Sequence, residues 1–292
     1  IYNGLKVYGI YRGYKGLVTD EIQEFKSQNV SNIIQMGGTI LKTARCKEFM
    51  VEEGQRRALL TAQAFDLEGI IAIGGDGTMH GAGALSKMGI PTITLPGTID
   101  NDLAYTDFSI GFDTAVNGVL TELIKVRDTM VSHDRIGIVE VMGNKCGDIA
   151  LHAGVAGSAD FILLPEMEFD IDEICDQLIK NNIRNRKTSM IVLAEGAGKG
   201  DKLAGYIREK TKLEVKSVVL GYTQRGGSPT GKDRILATRL GGQAVSLLAQ
   251  GVSNRAVGIH DNKVQNMDIY EALDAEKQFD SELYTLGKIM AR

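Results

Sequence analysis

Short apolar runs recur along the chain at residues 5–10, 69–73, 92–95, 135–141, 161–164, 189–194, 216–220 and 256–259. Most are rich in Ile, Val and Leu without strict alternation, and most end in glycine and polar residues. That is the pattern of strands buried on both faces. Helical patterns lie between them. Residues 114–130 place Val116, Val119, Leu120, Leu123, Ile124 and Met130 at helical spacing, with Asp113 or Thr114 as the cap. Residues 171–180 and 201–212 are amphipathic, and 232–250 carries Ile235, Leu236, Leu240, Ala244, Leu247 and Leu248 on one side. Strand–loop–helix alternation predicts α/β architecture with mostly parallel sheets. About eight strands in 292 residues predict two lobes rather than one continuous sheet. No linker rich in Pro or Ser separates them, so the lobes are expected to share segments. Ligands in such folds bind beyond the carboxyl ends of the strands, and the loops there are where chemistry is sought.

Composition narrows the classes. Lys and Arg number 33 and Asp and Glu 37, a net charge of −4, which gives no electrostatic reason to bind nucleic acid or an anionic membrane. Hydrophobic residues at 43% and charged residues at 24% fit a folded chain rather than a disordered one. No apolar run approaches the ~18 residues of a membrane span. Glycine is abundant at 35 residues while proline is scarce at 4. The glycines are therefore expected where the backbone turns sharply or approaches a ligand. Cys46, Cys146 and Cys175 form no CxxC pair, and a reducing cytoplasm fits them best. His80, His133, His152 and His260 show no metal-binding spacing.

Five strand-end loops concentrate the candidate chemistry. Residues 74–78 read Gly-Gly-Asp-Gly-Thr, a turn whose amides can face an anion at a helix start. Asp76 beside phosphates makes sense with Mg²⁺ between them; a tight turn capped by Asp76 is the plainer reading. Residues 96–102 read Pro-Gly-Thr-Ile-Asp-Asn-Asp, with two carboxylates two apart. Beside a phosphate loop they suit one base and one orienting group; alone they are equally a solvated acidic turn. Residues 142–148 bring glycine amides forward, and Glu195 followed by glycines through residue 200 suits sugar hydroxyls. Helix entry and a mobile surface loop are their respective plainer readings. Residues 221–229 place Arg225 among glycines, a good phosphate clamp. Residues 226–232 mimic a P-loop, but Asp233 stands where Ser or Thr must ligate Mg²⁺. No GxGxxG opens a helix, which argues against a dinucleotide oxidoreductase.

Taken together, Gly-Ile-Tyr-Arg-Gly-Tyr at 9–14, the stretch 37–45, GGDGT at 74–78, PGTIDND at 96–102, EVMG at 140–143 and GYTQRGGSP at 221–229 resemble the bacterial-type 6-phosphofructokinase family in order and spacing. GGDG alone is shared with other kinases, whereas PGTIDND with a downstream QRGG is highly specific. The resemblance implies two similar lobes, each a mostly parallel sheet flanked by helices. Residues 1–111 with 224–274 would form an ATP-binding lobe, and 112–223 with 275–292 a sugar-phosphate lobe. It implies phosphoryl transfer from MgATP to the 1-hydroxyl of fructose 6-phosphate, the committed step of glycolysis, in a cytoplasmic homotetramer. By motif, Asp100 is the base and Thr98 helps place the transferred phosphate. Asp76 contacts Mg²⁺, Asp102 supports the acidic cluster, and Arg45 and the Gly143 amide neutralise charge on the moving group. Tyr14, Arg45, Cys46, Gly75, Asp76, Gly77 and Thr78 line the ATP side. Thr98, Ile99, Asp100, Asp102, Met142, Gly143, Asn144, Glu195, Tyr222, Thr223, Gln224 and Arg225 serve the sugar phosphate. Arg135 and Lys216 are implied to reach it from a neighbouring subunit. A second, allosteric anion site for ADP or phosphoenolpyruvate is implied at Arg127, Asp160, Arg184, Arg186 and Lys187.

The chain departs from the family pattern at Lys216 and Asn144, where arginine is frequent, at Tyr222, where histidine is frequent, and at Ser27 in place of a regulatory arginine. The family's opening strand and glycine-rich loop are expected to be missing in front of Ile1. A strand cannot be dropped cheaply from a packed sheet, since each unpaired backbone group costs ~1–3 kcal/mol, so a partial sequence is expected. Two alternatives stand beside the leading reading. A pyrophosphate-dependent enzyme would carry Asp and Lys at Gly77 and Gly97. A noncatalytic homologue or regulatory subunit is motivated by the sugar-site departures and opposed by retention of Arg45, Asp76, Thr98, Asp100 and Asp102.

Overall fold

The computed structural model describes residues 1–291. Its strands are β1 (Val7–Ile10), β2 (Ile22–Phe25), β3 (Ile70–Gly74), β4 (Thr92–Pro96), β5 (Ile136–Val141), β6 (Phe161–Leu163), β7 (Ser189–Ala194), β8 (Val215–Val219), β9 (Arg255–His260) and β10 (Lys263–Asp268). Its helices are α1 (Tyr14–Val18), α2 (Glu52–Ala64), α3 (Asp76–Lys87), α4 (Phe112–Ser132), α5 (Asp148–Ala156), α6 (Ile171–Ile183), α7 (Gly200–Thr211), α8 (Gly231–Ala249), α9 (Ile269–Asp274) and α10 (Ser281–Met290). None of the described helices is long and apolar enough to cross a membrane.

The chain divides into two compact units. The first comprises Ile1–Thr98, Leu103–Ile110 and Ser228–Lys277; the second comprises Ile99–Asp102, Gly111–Gly227 and the segment from Gln278 onward. Residues 99–102, 111 and 224–227 thus lie in the second unit and 275–277 in the first, a division that differs there from the expected boundaries.

The first unit holds a four-stranded sheet in the order β10-β9-β4-β3 and a separate antiparallel pair, β1-β2. Strands β3, β4 and β9 run parallel, and β10 returns antiparallel to β9. Asp261 and Asn262 make that return in left-handed conformation, which matches the twist of a tight hairpin. Helix α8 covers β4 and β9 through Leu236, Leu240, Ala244 and Leu247. The second unit holds an all-parallel sheet in the order β6-β7-β5-β8. Helices α6 and α7 bury Ile174, Leu178, Leu203 and Ile207 against it.

Burial on both faces holds for the interior strands β4, β5 and β7, in which every residue is buried. At the edge, β8 is buried at Val215 and exposed at Lys216 and Val219. Strands β2 and β10 escape an apolar-run search because their sequences, Ile-Gln-Glu-Phe and Lys-Val-Gln-Asn-Met-Asp, are largely polar. Helix α4 starts earlier than the expected Asp113 or Thr114 cap. Its N-cap is Gly111, held at φ 106°, and its first residue Phe112 is buried. A left-handed turn into the helix suits glycine. Helix α5 shows no amphipathic stripe because it is buried nearly all round.

Two helical glycines illustrate how packing overrides propensity. A Cβ on Gly118, in α4, meets nothing within 4 Å, whereas one on Gly81, in α3, would lie 2.3 Å from the Tyr14 ring. Tyr14 cannot easily yield, since it stacks on Phe49 with 4.4 Å between ring centroids. Gly118→Ala is expected to stabilise the fold by up to about 1 kcal/mol, and Gly81→Ala to destabilise it by about 1–3 kcal/mol. Urea denaturation of the two variants checks both signs.

Candidate active site

In the first unit, β3 ends at Gly74, Gly75 caps α3 in an extended conformation, and Asp76 is the first helical residue. The turn is tight. A Cβ on Gly74 would lie 2.2 Å from Thr78 Oγ1, and one on Gly97 would lie 2.9 Å from Ile73 Cγ2. The Gly97 amide donates to the Gly74 carbonyl at 2.9 Å, which draws the loop after β4 onto the loop after β3. Thr98 consequently sits against Gly75, 3.4 Å from where a Cβ would stand. Its carbonyl accepts the Ser109 hydroxyl at 2.6 Å. Above Gly77 the space is open. The helix's first amides lack intrahelical acceptors and carry the positive end of its dipole, so this corner suits an anion. Asp76 is exposed, with Oδ1 3.3 Å from His80 Nδ1.

Tyr14 donates its hydroxyl to the Thr78 carbonyl at 2.5 Å, and burial pushes its phenol above the ordinary range. Cys46 packs with Tyr14 against the core formed by Leu17, Phe49, Ala58 and Leu85. Arg45 is exposed beside it. Of the residues expected on the ATP side, Gly75, Asp76, Gly77 and Thr78 share one turn. Tyr14 supports that turn from below.

In the second unit, four loop segments are laced together by side chains. Asn101 is buried at φ 53° and donates to Asp148 Oδ2 at 2.8 Å, tying the 99–102 segment to the start of α5. Gly143 adopts φ 138° in a turn where a Cβ would lie 2.3 Å from the Cys146 carbonyl oxygen, so only glycine fits. The Met142 amide donates to Gln224 Oε1 at 3.1 Å, and the Asn144 amide donates to Glu195 Oε1 at 3.1 Å. Gln224 lies buried in a 3₁₀ helix, Gly221–Arg225, whose Tyr222 and Arg225 are exposed. Thr223 donates its hydroxyl to the Leu220 carbonyl at 2.8 Å.

Asp100 is a perturbed carboxylate of this group. Burial, followed by the charges of Asp102 and Glu195, pushes its carboxyl up to about 6, while Arg225 pulls the other way. Asp100, Asp102, Glu195 and Arg225 therefore form one electrostatic cluster. A carboxylate poised near neutrality is suited to take a proton from a hydroxyl.

Arg135 and Lys216 lie elsewhere in this unit. Arg135 pairs with Glu214 at 2.6 Å, and Lys216 is exposed on the edge strand β8. The residues expected at a regulatory site converge in part. Asp160 pairs with Arg186 and accepts the Met190 amide at 2.6 Å. Arg127 donates to the Ser158 carbonyl at 2.9 Å, and Lys187 reaches Asp134 at 3.4 Å. Burial raises the Asp160 carboxyl despite both arginines. Arg184 is exposed.

The contacts of several supporting residues escape a motif reading. Glu140 is buried on β5 and accepts the Lys199 ammonium at 3.0 Å and the Gly200 amide at 2.8 Å, which anchors the loop carrying Glu195. Glu166 accepts the Gly147 amide at 2.7 Å. His260 meets Asp107 at 2.8 Å, and the Asp261 amide donates to the same carboxylate at 2.9 Å. Each pair joins residues distant in sequence, so no local spacing announces it.

A glycine-rich anion corner at one strand end and a poised carboxylate cluster at another are the parts of a phosphoryl-transfer protein. Residues 1–248 match the phosphofructokinase family. The chain is 53% identical over 289 residues to an ATP-dependent 6-phosphofructokinase of Clostridium botulinum, covering 99% of this chain and 91% of that protein. It is 52% identical over 291 residues to the enzyme of the same name from Alkaliphilus metalliredigens, covering 100% and 91%. Among solved structures, Pichia pastoris phosphofructokinase in the T-state superimposes with a TM-score of 0.88 at 28% identity. That match covers 99% of this chain and 33% of the yeast chain, so the present chain spans about a third of its length. The chain belongs to the phosphofructokinase family.

The raised Asp100 carboxyl has a consequence for stability. Its folded-state value lies above the ~3.9 of an unfolded chain, so the folded state holds the proton more tightly. Stability therefore falls as pH rises from ~4 to ~6, and the penalty is fully present above that. Asp100→Asn is expected to raise the melting temperature at pH 7.5 and to lose that advantage below pH 4. A gain independent of pH would contradict the assignment.

Proposed function

We infer that this chain transfers a phosphoryl group from MgATP to the 1-hydroxyl of fructose 6-phosphate, releasing ADP and fructose 1,6-bisphosphate, the committed step of glycolysis. The observation that carries this reading is Asp100, a carboxylate held near neutrality two residues after Thr98 in a chain about half identical to enzymes of that name.

Asp100 accepts the proton of the sugar hydroxyl, and Thr98 steadies the transferred phosphate. The Gly75 and Gly77 backbone and Thr78 cradle the nucleotide phosphates, with Tyr14 and Cys46 beneath. Arg45 and the Gly143 amide offset charge on the moving group, and Asp102 and Ile99 complete the acidic loop. Met142, Asn144, Glu195, Thr223, Gln224 and Arg225 receive the sugar phosphate, with Tyr222 beside them. Catalysis of this kind rests on positioning and charge compensation.

The donor set also fits Mg²⁺. Asp76 offers an exposed hard oxygen at the head of α3, next to the open space above Gly77. Bound there, the ion would neutralise phosphate charge. Glycine at 77 and 97 supports ATP over pyrophosphate as donor, since side chains there would fill the space of the nucleotide phosphates. Arg135 and Lys216 act on the sugar phosphate of a neighbouring subunit in a homotetramer. Arg127, Asp160, Arg184, Arg186 and Lys187 form an effector site, weakened because Arg186 is already engaged by Asp160.

Asp100→Ser is expected to lower turnover by about 10²–10⁴-fold with little change in KM for either substrate, because a base acts in the transition state. Near-normal turnover in a coupled ADP-release assay would remove Asp100 from the mechanism. A second test addresses sharing between subunits. Mixing Arg135→Ala chains with Asp100→Ser chains is expected to restore measurable activity by rebuilding intact sites. Mixed tetramers without recovered activity would exclude shared sites.

A further inference from the structure

Tyr222 stands where the family pattern favours histidine, and its chemistry differs from that of the residue it replaces. It sits in the 3₁₀ helix Gly221–Arg225, whose backbone is fixed on two sides. Gln224 donates to the Gly221 carbonyl at 3.0 Å and receives the Met142 amide at 3.1 Å, and Thr223 closes onto the Leu220 carbonyl. In a 3₁₀ helix, side chains three residues apart eclipse one another. Residues 222 and 225 are such a pair. The Arg225 guanidinium carbon accordingly lies 5.1 Å from the centroid of the Tyr222 ring, a cation–π distance.

The ring is 79% exposed, so it belongs to no core. What it does is restrict a long, exposed side chain. Arginine has several rotatable bonds, and an exposed arginine without a platform samples many positions. Charged groups that act on Asp100 include Asp102 from its own loop, Glu195 from the loop after β7, and Arg225 from the 3₁₀ helix. Arg225 is the group among these that lowers the Asp100 carboxyl.

We propose that Tyr222 is a positioning residue whose ring face, rather than its hydroxyl, holds Arg225 in place to meet the sugar phosphate and to offset the acidic cluster around Asp100. The proposal rests on the sugar-kinase reading above. It assigns to the tyrosine a function that depends on an aromatic face and not on a hydrogen bond.

The test compares Tyr222→Leu, Tyr222→Phe, Arg225→Ala and the Tyr222→Leu/Arg225→Ala double variant, each assayed with fructose 6-phosphate and MgATP across pH 5–8. Tyr222→Leu is expected to raise the KM for the sugar phosphate about 2- to 5-fold, the range of an exposed cation–π contact. It is also expected to shift the acid limb of kcat/KM to higher pH, because a wandering Arg225 stabilises the Asp100 carboxylate less. Tyr222→Phe is expected to rescue most of both losses. In the Arg225→Ala background, Tyr222→Leu is expected to add nothing. Failure of Tyr222→Phe to rescue would assign the effect to the hydroxyl and overturn the proposal. So would additive losses in the double variant, or an acid limb that stays put in Tyr222→Leu. A wild-type chain inactive on fructose 6-phosphate in its tetrameric form would instead overturn the sugar-kinase reading itself, and this proposal with it. An active wild type with an unaffected Tyr222→Leu overturns the proposal alone.

Discussion

A carboxylate partly withdrawn from water, with two others beside it, is a costly thing to hold in place. Asp100 is in that position, next to Asp102 and Glu195, with Arg225 as the opposing charge. Left flexible, the three acids would separate and hydrate. The second unit prevents this by hanging each of them on a constrained loop. Asn101 ties the Asp100 segment to α5, Glu195 is engaged by the Asn144 amide, and Gln224 fastens the arginine-bearing turn to the end of β5. These loops in turn depend on strands β5 and β7, in which every residue is buried. The apolar burial of an all-parallel sheet thus offsets the electrostatic cost of its loops.

Much of this was legible in sequence because the interior strands are unbroken apolar runs and the strand-end loops carry rare motifs. The expected run at 189–194 is β7 itself. Elements without a contrast of polar and apolar faces are hard to read from sequence. Helix α5 is buried nearly all round and shows no stripe. Strand β10 is half-buried and largely polar, and it is held by its antiparallel register with β9 rather than by an apolar run of its own. Helix α4 starts at Phe112, ahead of the expected Asp113 or Thr114 cap, because Gly111 in left-handed conformation turns the chain into it.

At the site, motifs located the acids but not what braces them. Glu140 is separated from Lys199 by 59 positions, and Asn101 from Asp148 by 47. Only folding brings such pairs together. The same holds for the change of tyrosine at 222. In sequence it is a departure from a pattern; in the structure it is an aromatic face beneath a guanidinium. The regulatory candidates show the converse. Arg127, Arg186 and Asp160 do gather, yet the arginines already have acceptors of their own.

The central claim is that surroundings, and not the residue type, make Asp100 a base suited to neutral pH. Site-resolved NMR titration of the ¹³C-labelled Asp100 carboxyl, in the otherwise unmodified protein, tests it directly. The account gives a midpoint near 6, as the structure indicates. A midpoint near the ~3.9 of an ordinary aspartate would show that the cluster does not perturb Asp100, and the account would be wrong.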